Sequence, residues 1–156
     1  TFLSTTTLLE SGPLLLGLAL LLVGLGFKVA AVDTNVVLRF LLGDDPDQGA
    51  AARECMAGGV FVSHSVLIES EWVLRSTGWA REKVNRAFAD FVALESVEVA
   101  RIDELQWALD RHRQGADWAD MLHLIAASGH ECFASFEKDL AKQAGPAAPV
   151  PVERLK

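Results

Sequence analysis

Carboxylates occupy most of the positions at which this chain could do chemistry. Asp33 closes the apolar run Val29-Ala30-Ala31-Val32 and precedes Thr34-Asn35. Glu69 and Glu71 lie inside the mostly apolar segment 66–74, Asp117 and Asp120 are three apart, and Glu137 and Asp139 follow Cys132-Phe133-Ala134. Each stands next to residues that a fold would bury. A buried carboxylate is costly alone, so each asks for a cation, an amide donor or a base. Gathered in one place they would repel strongly unless protonated or bridged by a metal. Hard divalent cations with oxygen ligands suit such a set, and no Cys/His cluster competes for zinc. The chemistry this would support is metal-assisted hydrolysis of a phosphodiester. No Ser-His-Asp or Cys-His pattern offers another nucleophile. The plainer account is that a strand-end acid caps a helix and that helix acids are solvated.

The elements that must position these groups can be read from apolar spacing and from breakers. Residues 29–32 form a short buried strand, and 34–42 a helix packed through Val37, Leu38, Leu41 and Leu42. Gly43 stops that helix. Asp45 can cap the next one and Pro46 suits its first position, giving a helix over 47–56. Residues 60–62 are a second strand. A helix then opens at Ser63 or Ser65, runs to about 76, and is apolar on most sides. At least one of Glu69 and Glu71 therefore faces the interior, and spacing does not say which. A helix over 79–91 buries Val84, Phe88 and Phe91. Residues 97–99 form an edge or third strand, and 102–113 a helix with Ile102, Leu105 and Leu109 on one stripe. A helix over 117–128 carries Asp117 and Asp120 on the face of Leu124. Strand 132–134, a turn or helix over 136–142, and a Pro-rich tail with Val150 and Val152 complete the chain. Short strands alternating with ten-residue helices imply an α/β fold, a three-layer α/β/α sandwich around a mostly parallel sheet of four or five strands. Asp33 then falls at a strand's exit, where open α/β sheets build their sites.

Fourteen Lys and Arg against twenty-one Asp and Glu give a net charge of −7. That excludes a general nucleic-acid-coating protein but not a nuclease, whose acids are neutralised by cations they bind. Cys55 and Cys132 are too few for a disulfide scaffold and read as reduced thiols of a cytoplasmic protein. Residues 14–27 are continuously apolar, yet fourteen residues fall short of the roughly 20 that span a bilayer. No basic segment precedes them as in an export signal. Residues 1–27 read as an extension of a mis-set start or an added segment, as a helix covered by the domain or a partner, or as a membrane contact through 14–27. The globular domain is expected over 28–145, with 146–156 an extended tail and possible edge strand.

The order of Val32-Asp33-Thr34-Asn35, Ile68-Glu69 before Trp72-Val73-Leu74-Arg75, Asp117-Trp118-Ala119-Asp120-Met121-Leu122-His123 and Ala134-Ser135-Phe136-Glu137-Lys138-Asp139 resembles a PIN domain. The branch it is most similar to is the VapC toxin of toxin–antitoxin pairs. Each motif alone is weak; four in order are fairly specific. The resemblance covers roughly 29–142. It implies that Asp33, Glu69, Asp120 and Glu137 bind the metal and carry catalysis, with Asp117 an additional ligand and Asn35 and Ser135 supporting. It selects Glu69 over Glu71. The last acid is usually Asp within Thr-Phe-Asp, and here the triplet is Ser135-Phe136-Glu137; Asp139 is the alternative to Glu137. The resemblance further implies Mg²⁺ or Mn²⁺, endonucleolytic cleavage of RNA, a homodimer, and inhibition by a cognate VapB-like antitoxin that offers a basic side chain to the carboxylates.

Arg39, Arg81, Lys83 and Arg86 are the candidate RNA contacts, with Arg101 and Arg111-His112-Arg113 lesser basic patches. Trp72, Trp79, Trp107 and Trp118 read as core or dimer-interface aromatics, because RNA stacking platforms would need exposure beside a basic groove. Leu38, Leu41 and Phe88 are candidates for a patch that a dimer or antitoxin covers. Two other functions compete with a nuclease: a catalytically weak PIN-like protein acting by protein or RNA binding, and a membrane-tethered α/β protein.

Overall fold

The computed structural model describes residues 29–156, so the expectations for residues 1–27 lie outside the described part. Its elements run β1 (Ala30–Ala31), α1 (Thr34–Leu42), α2 (Pro46–Ala57), β2 (Val60–Val62), α3 (His64–Ser76), α4 (Arg81–Val92), β3 (Val97–Val99), α5 (Ile102–Arg113), α6 (Trp118–Ala126), β4 (Phe133–Ser135), α7 (Leu140–Ala144) and β5 (Val152–Arg154). Local chemistry sets most boundaries. The side chains of Asp33, Asp45, Ser63 and Asp117 each accept the orphan amide three residues on, and so start α1, α2, α3 and α6. Pro46 sits in the first turn of α2. Gly43, at φ 59°, ends α1 in the left-handed region that a side chain resists.

All pairings are parallel. β2 lies between β1 and β3, with Ala30 opposite Val60 and Val60 opposite Val97. β4 and β5 form a separate two-stranded ladder, with Phe133 opposite Val152. The five strands of this α/β sandwich are therefore divided between two ladders. The tail's Val152 is held in β5, and α7 packs against that strand. Parallel strands send their C-terminal ends to one edge, so Asp33, Ser63 and Ala100 emerge side by side. His64 Nε2 meets the Ala100 carbonyl at 2.9 Å and ties the exits of β2 and β3.

One apolar cluster joins β2 and β3 to the helices through Val60, Val62, Leu67, Phe88, Leu105, Leu124 and Ile125. Each large aliphatic or aromatic side chain buried there stabilises the fold by about 1.5–3 kcal/mol. α3 packs against α1, α4 and α6, and α6 against α5. The core corrects several expectations. Both β1 residues are exposed, because β1 has a hydrogen-bonded neighbour on one side only among the described residues. Ile102 is exposed at the start of α5, while Leu38 and Phe88 are core residues, not an open patch. His112, grouped by sequence with a basic patch, is fully buried. Trp72 is no core residue: its face of α3 looks outward.

Candidate active site

Asp33 caps α1, its Oδ1 accepting the Val36 amide at 3.0 Å. The next residue, buried Thr34, donates its hydroxyl to Glu69 Oε2 at 2.6 Å, joining the exit of β1 to the second turn of α3. Glu69 and Asp117 line one cleft of about 350 Å³ together with Glu71 and Trp72. The Trp118 indole N–H crosses from α6 to the Leu67 carbonyl at 3.1 Å and holds these two helices in register. Asp117 in turn accepts the Asp120 amide at 3.1 Å. Asp120 feels the negative charge of Glu137 as well as that of Asp117. A continuous arc of acids thus runs from Asp33 through Glu69, Asp117 and Asp120 to Glu137.

Asp120 is the half-buried member and the other four are exposed. Burial pushes its carboxyl above the usual carboxylate range, the charges of Asp117 and Glu137 push the same way, and His123 opposes them. Glu137 is carried on a local turn in which the Ser135 hydroxyl accepts the Glu137 amide at 3.0 Å. Asp139 lines a different cavity, with Arg111, Ala116 and Lys142. Asn35 is exposed and borders a shallower cleft with Arg39 and Gln48.

Among the described residues none of the five arc carboxylates is in an ion pair. The donor set is all oxygen, and burial together with the charges of Asp117 and Glu137 raises the affinity of Asp120 for positive charge. It fits a hard divalent cation by chemistry. No three His, Cys, Asp or Glu side chains among the described residues stand close enough together to hold one ion.

The basic candidates are mostly occupied. Arg39 Nη1 donates to both Asp44 carboxylate oxygens at 2.8 Å, which raises the guanidinium's affinity for its proton, and Arg39 Nε donates to Gln48. Half-buried Arg81 donates to the His112 and Ala116 carbonyls, just before Asp117. The Lys83 ammonium lies 3.6 Å from the Trp79 ring centre. Arg86 is exposed. Behind the arc, Asn85 donates to the Leu109 carbonyl at 2.8 Å and lies 3.2 Å from His112 Nδ1. His112 Nε2 stands 3.6 Å from Glu71. Burial, then the charges of Arg81 and Arg75, push His112 down to about 4, so this contact is not an ion pair at neutral pH. Burial pushes Glu71 upward, against Arg75 and Arg81.

Sequence reasoning missed Thr34, whose hydroxyl beside a strand-end acid was the available signal. It also missed buried His112, which extends the Leu105 and Leu109 stripe by three residues.

The family model described as PIN domain matches residues 30–146, which include every arc residue. No curated protein and no solved structure matches the chain.

Proposed function

Because this chain belongs to the PIN domain family, a fold of metal-dependent nucleases, we propose that it is a Mg²⁺- or Mn²⁺-dependent endoribonuclease. The observation that carries the reading is the arc of carboxylates beside the exit of β1 that make no ion pair among the described residues. Asp33, Glu69, Asp120 and Glu137 would hold the cation, with Asp117 an additional ligand. A bound divalent cation supplies activation of water and neutralisation of charge on the phosphodiester. Thr34 orients Glu69 through its hydroxyl, Asp117 holds the first turn that presents Asp120, and Ser135 sets the turn that presents Glu137. Asn35, next to Asp33 on the first turn of α1, supports the same edge.

The finer reading is a cytoplasmic VapC-like toxin that forms a homodimer and is held by a VapB-like antitoxin. An acidic cleft complements a basic antitoxin side chain. No described helix is long and apolar enough to cross a membrane. Contact through residues 14–27 is tested by fractionating the full chain against one beginning at Lys28.

The second reading, a weakly catalytic PIN-like binding protein, is favoured by Glu137 standing where the family places Asp. Cleavage of RNA in Mg²⁺ by the wild type and by Asp33→Asn separates the two. The nuclease reading expects cleavage that the substitution abolishes; cleavage unaffected by it refutes the proposed site. In crystals soaked in Mn²⁺, the anomalous peak should lie within the arc.

A further inference from the structure

Two aromatic side chains of the described residues stand largely in water: Trp72, 67 % exposed, and Phe136, 72 % exposed. Neither position is casual. Trp72 is one turn beyond Glu69 on α3 and lines the cleft shared by Glu69 and Asp117. Phe136 immediately precedes Glu137, at the other end of the acidic arc. By contrast Trp118 is buried with its N–H bonded, and Trp79 is half-buried under the Lys83 ammonium. Exposed aromatics therefore stand beside the cleft of Glu69 and Asp117 and beside Glu137, acids that make no ion pair among the described residues.

We propose that Trp72 is a stacking platform for a base of single-stranded RNA passing along the carboxylate arc, with Phe136 a second platform at its far end. Base–aromatic stacking needs an open ring face and tolerates any sequence, because every base has a π-face. A protein partner fits this surface less well. An aromatic side chain offers at most about 250 Å² of area, against the roughly 800 Å² that each partner of a stable complex buries. Its neighbours in the cleft include Glu69, Glu71 and Asp117, whose negative charge a bound divalent cation would offset toward an RNA backbone. A cleft of about 350 Å³ is at the small end of ligand pockets, suited to one nucleotide. The proposal rests on the nuclease reading for its ligand, but its test reads binding alone.

The probes are a fluorescein-labelled oligoadenylate 12-mer and an abasic ribose-phosphate 12-mer of equal charge, titrated by anisotropy in Ca²⁺ against wild type, Trp72→Leu and Trp72→Phe. Wild type should prefer the oligoadenylate. Trp72→Leu should weaken that binding by about 5- to 150-fold, the range of one lost stack, and leave the abasic chain unchanged. Trp72→Phe should stay within about threefold of wild type. Phe136→Leu should repeat the pattern to a smaller degree. Equal binding of oligoadenylate by wild type and Trp72→Leu overturns the proposal, as does equal loss on both chains or no preference for bases in wild type. Loss of self-association in Trp72→Leu with oligoadenylate binding intact assigns the ring to a protein interface and also overturns it. Base-dependent binding without Mg²⁺-dependent cleavage would leave the platform standing and remove the nuclease.

Discussion

Two polar regions meet at Glu71, which lines the cleft and stands 3.6 Å from His112, and they are built on opposite terms. In one, Asn85 and Arg81 donate to the carbonyls of Leu109, His112 and Ala116 around buried His112, forming a knot in which only His112 Nε2 lacks a hydrogen bond. In the other, Asp33, Glu69, Asp117, Asp120 and Glu137 make no ion pair among the described residues. The knot keeps its imidazole neutral, and the arc keeps its charges unmatched. The knot's donors are mostly spent on the fold's own carbonyls, whereas groups left to bind something from outside stay in excess, at a cost in stability. Arg81 touches both regions, because the carbonyl it holds at Ala116 precedes Asp117.

The contrast is broken most severely by neutralising the arc. Asp120→Asn is expected to reduce Mg²⁺-dependent cleavage by about 10²–10³-fold, the scale of losing one preorganised electrostatic group. Its melting temperature should hold or rise, since Asp117 and Glu137 already disfavour the charge of Asp120. A cleavage assay and a thermal melt on the same preparation check both halves.

In the knot the effect is on folding and depends on pH. His112 titrates near 4 when folded and near 6.5 when unfolded, so the unfolded chain binds more protons between those values. This contribution to stability is present above about pH 6.5 and is lost as pH falls toward 4, by up to about 3 kcal/mol. Glu71, raised by burial, works in the opposite sense. Denaturant titrations from pH 7 to 4 should therefore show a steeper decline in wild type than in His112→Asn.

Arg81 tests whether the two regions are coupled. Arg81→Gln is expected to weaken Mn²⁺ binding about tenfold by calorimetry, on the scale of lost outer-shell partners. Arg81→Lys should recover part of the loss, which a surface RNA clamp would not predict for metal affinity. The smallest effect is at the cap of α6. Asp117→Ala should cost about 1 kcal/mol of stability by thermal melt, and Asp117→Asn a few tenths, because Asn also accepts the Asp120 amide.

Much of the fold was legible because its boundaries are local. Asp45-Pro46, Ser63, Gly43 and the β-branched runs at 60–62 and 97–99 act within four residues, and the helices began or ended near them. Asp33 and Asp117 showed why the two accounts of a strand-end or helix acid need not compete. Both residues are caps, and both lie on the acidic arc. The core alternative for Trp72 failed because α3 carries apolar residues around most of its circumference, so periodicity names no buried face. The same ambiguity hid which glutamate points where. Glu71 turned toward His112, and Glu69 lies exposed under the Thr34 hydroxyl.

Alone, the order of residues determined where helices start and stop, that the strands run parallel between them, and that four acidic motifs recur in the pattern of one family. Those outcomes depend on hydrogen bonds and steric limits spanning a few positions. Only tertiary packing decided that β1 would lie exposed, that His112 would be buried and neutral, and that Trp72 would look out over the carboxylates. The reason is that α3 must satisfy α1, α4 and α6 together, and a helix with several plausible apolar faces acquires a single orientation only when its neighbours are in place.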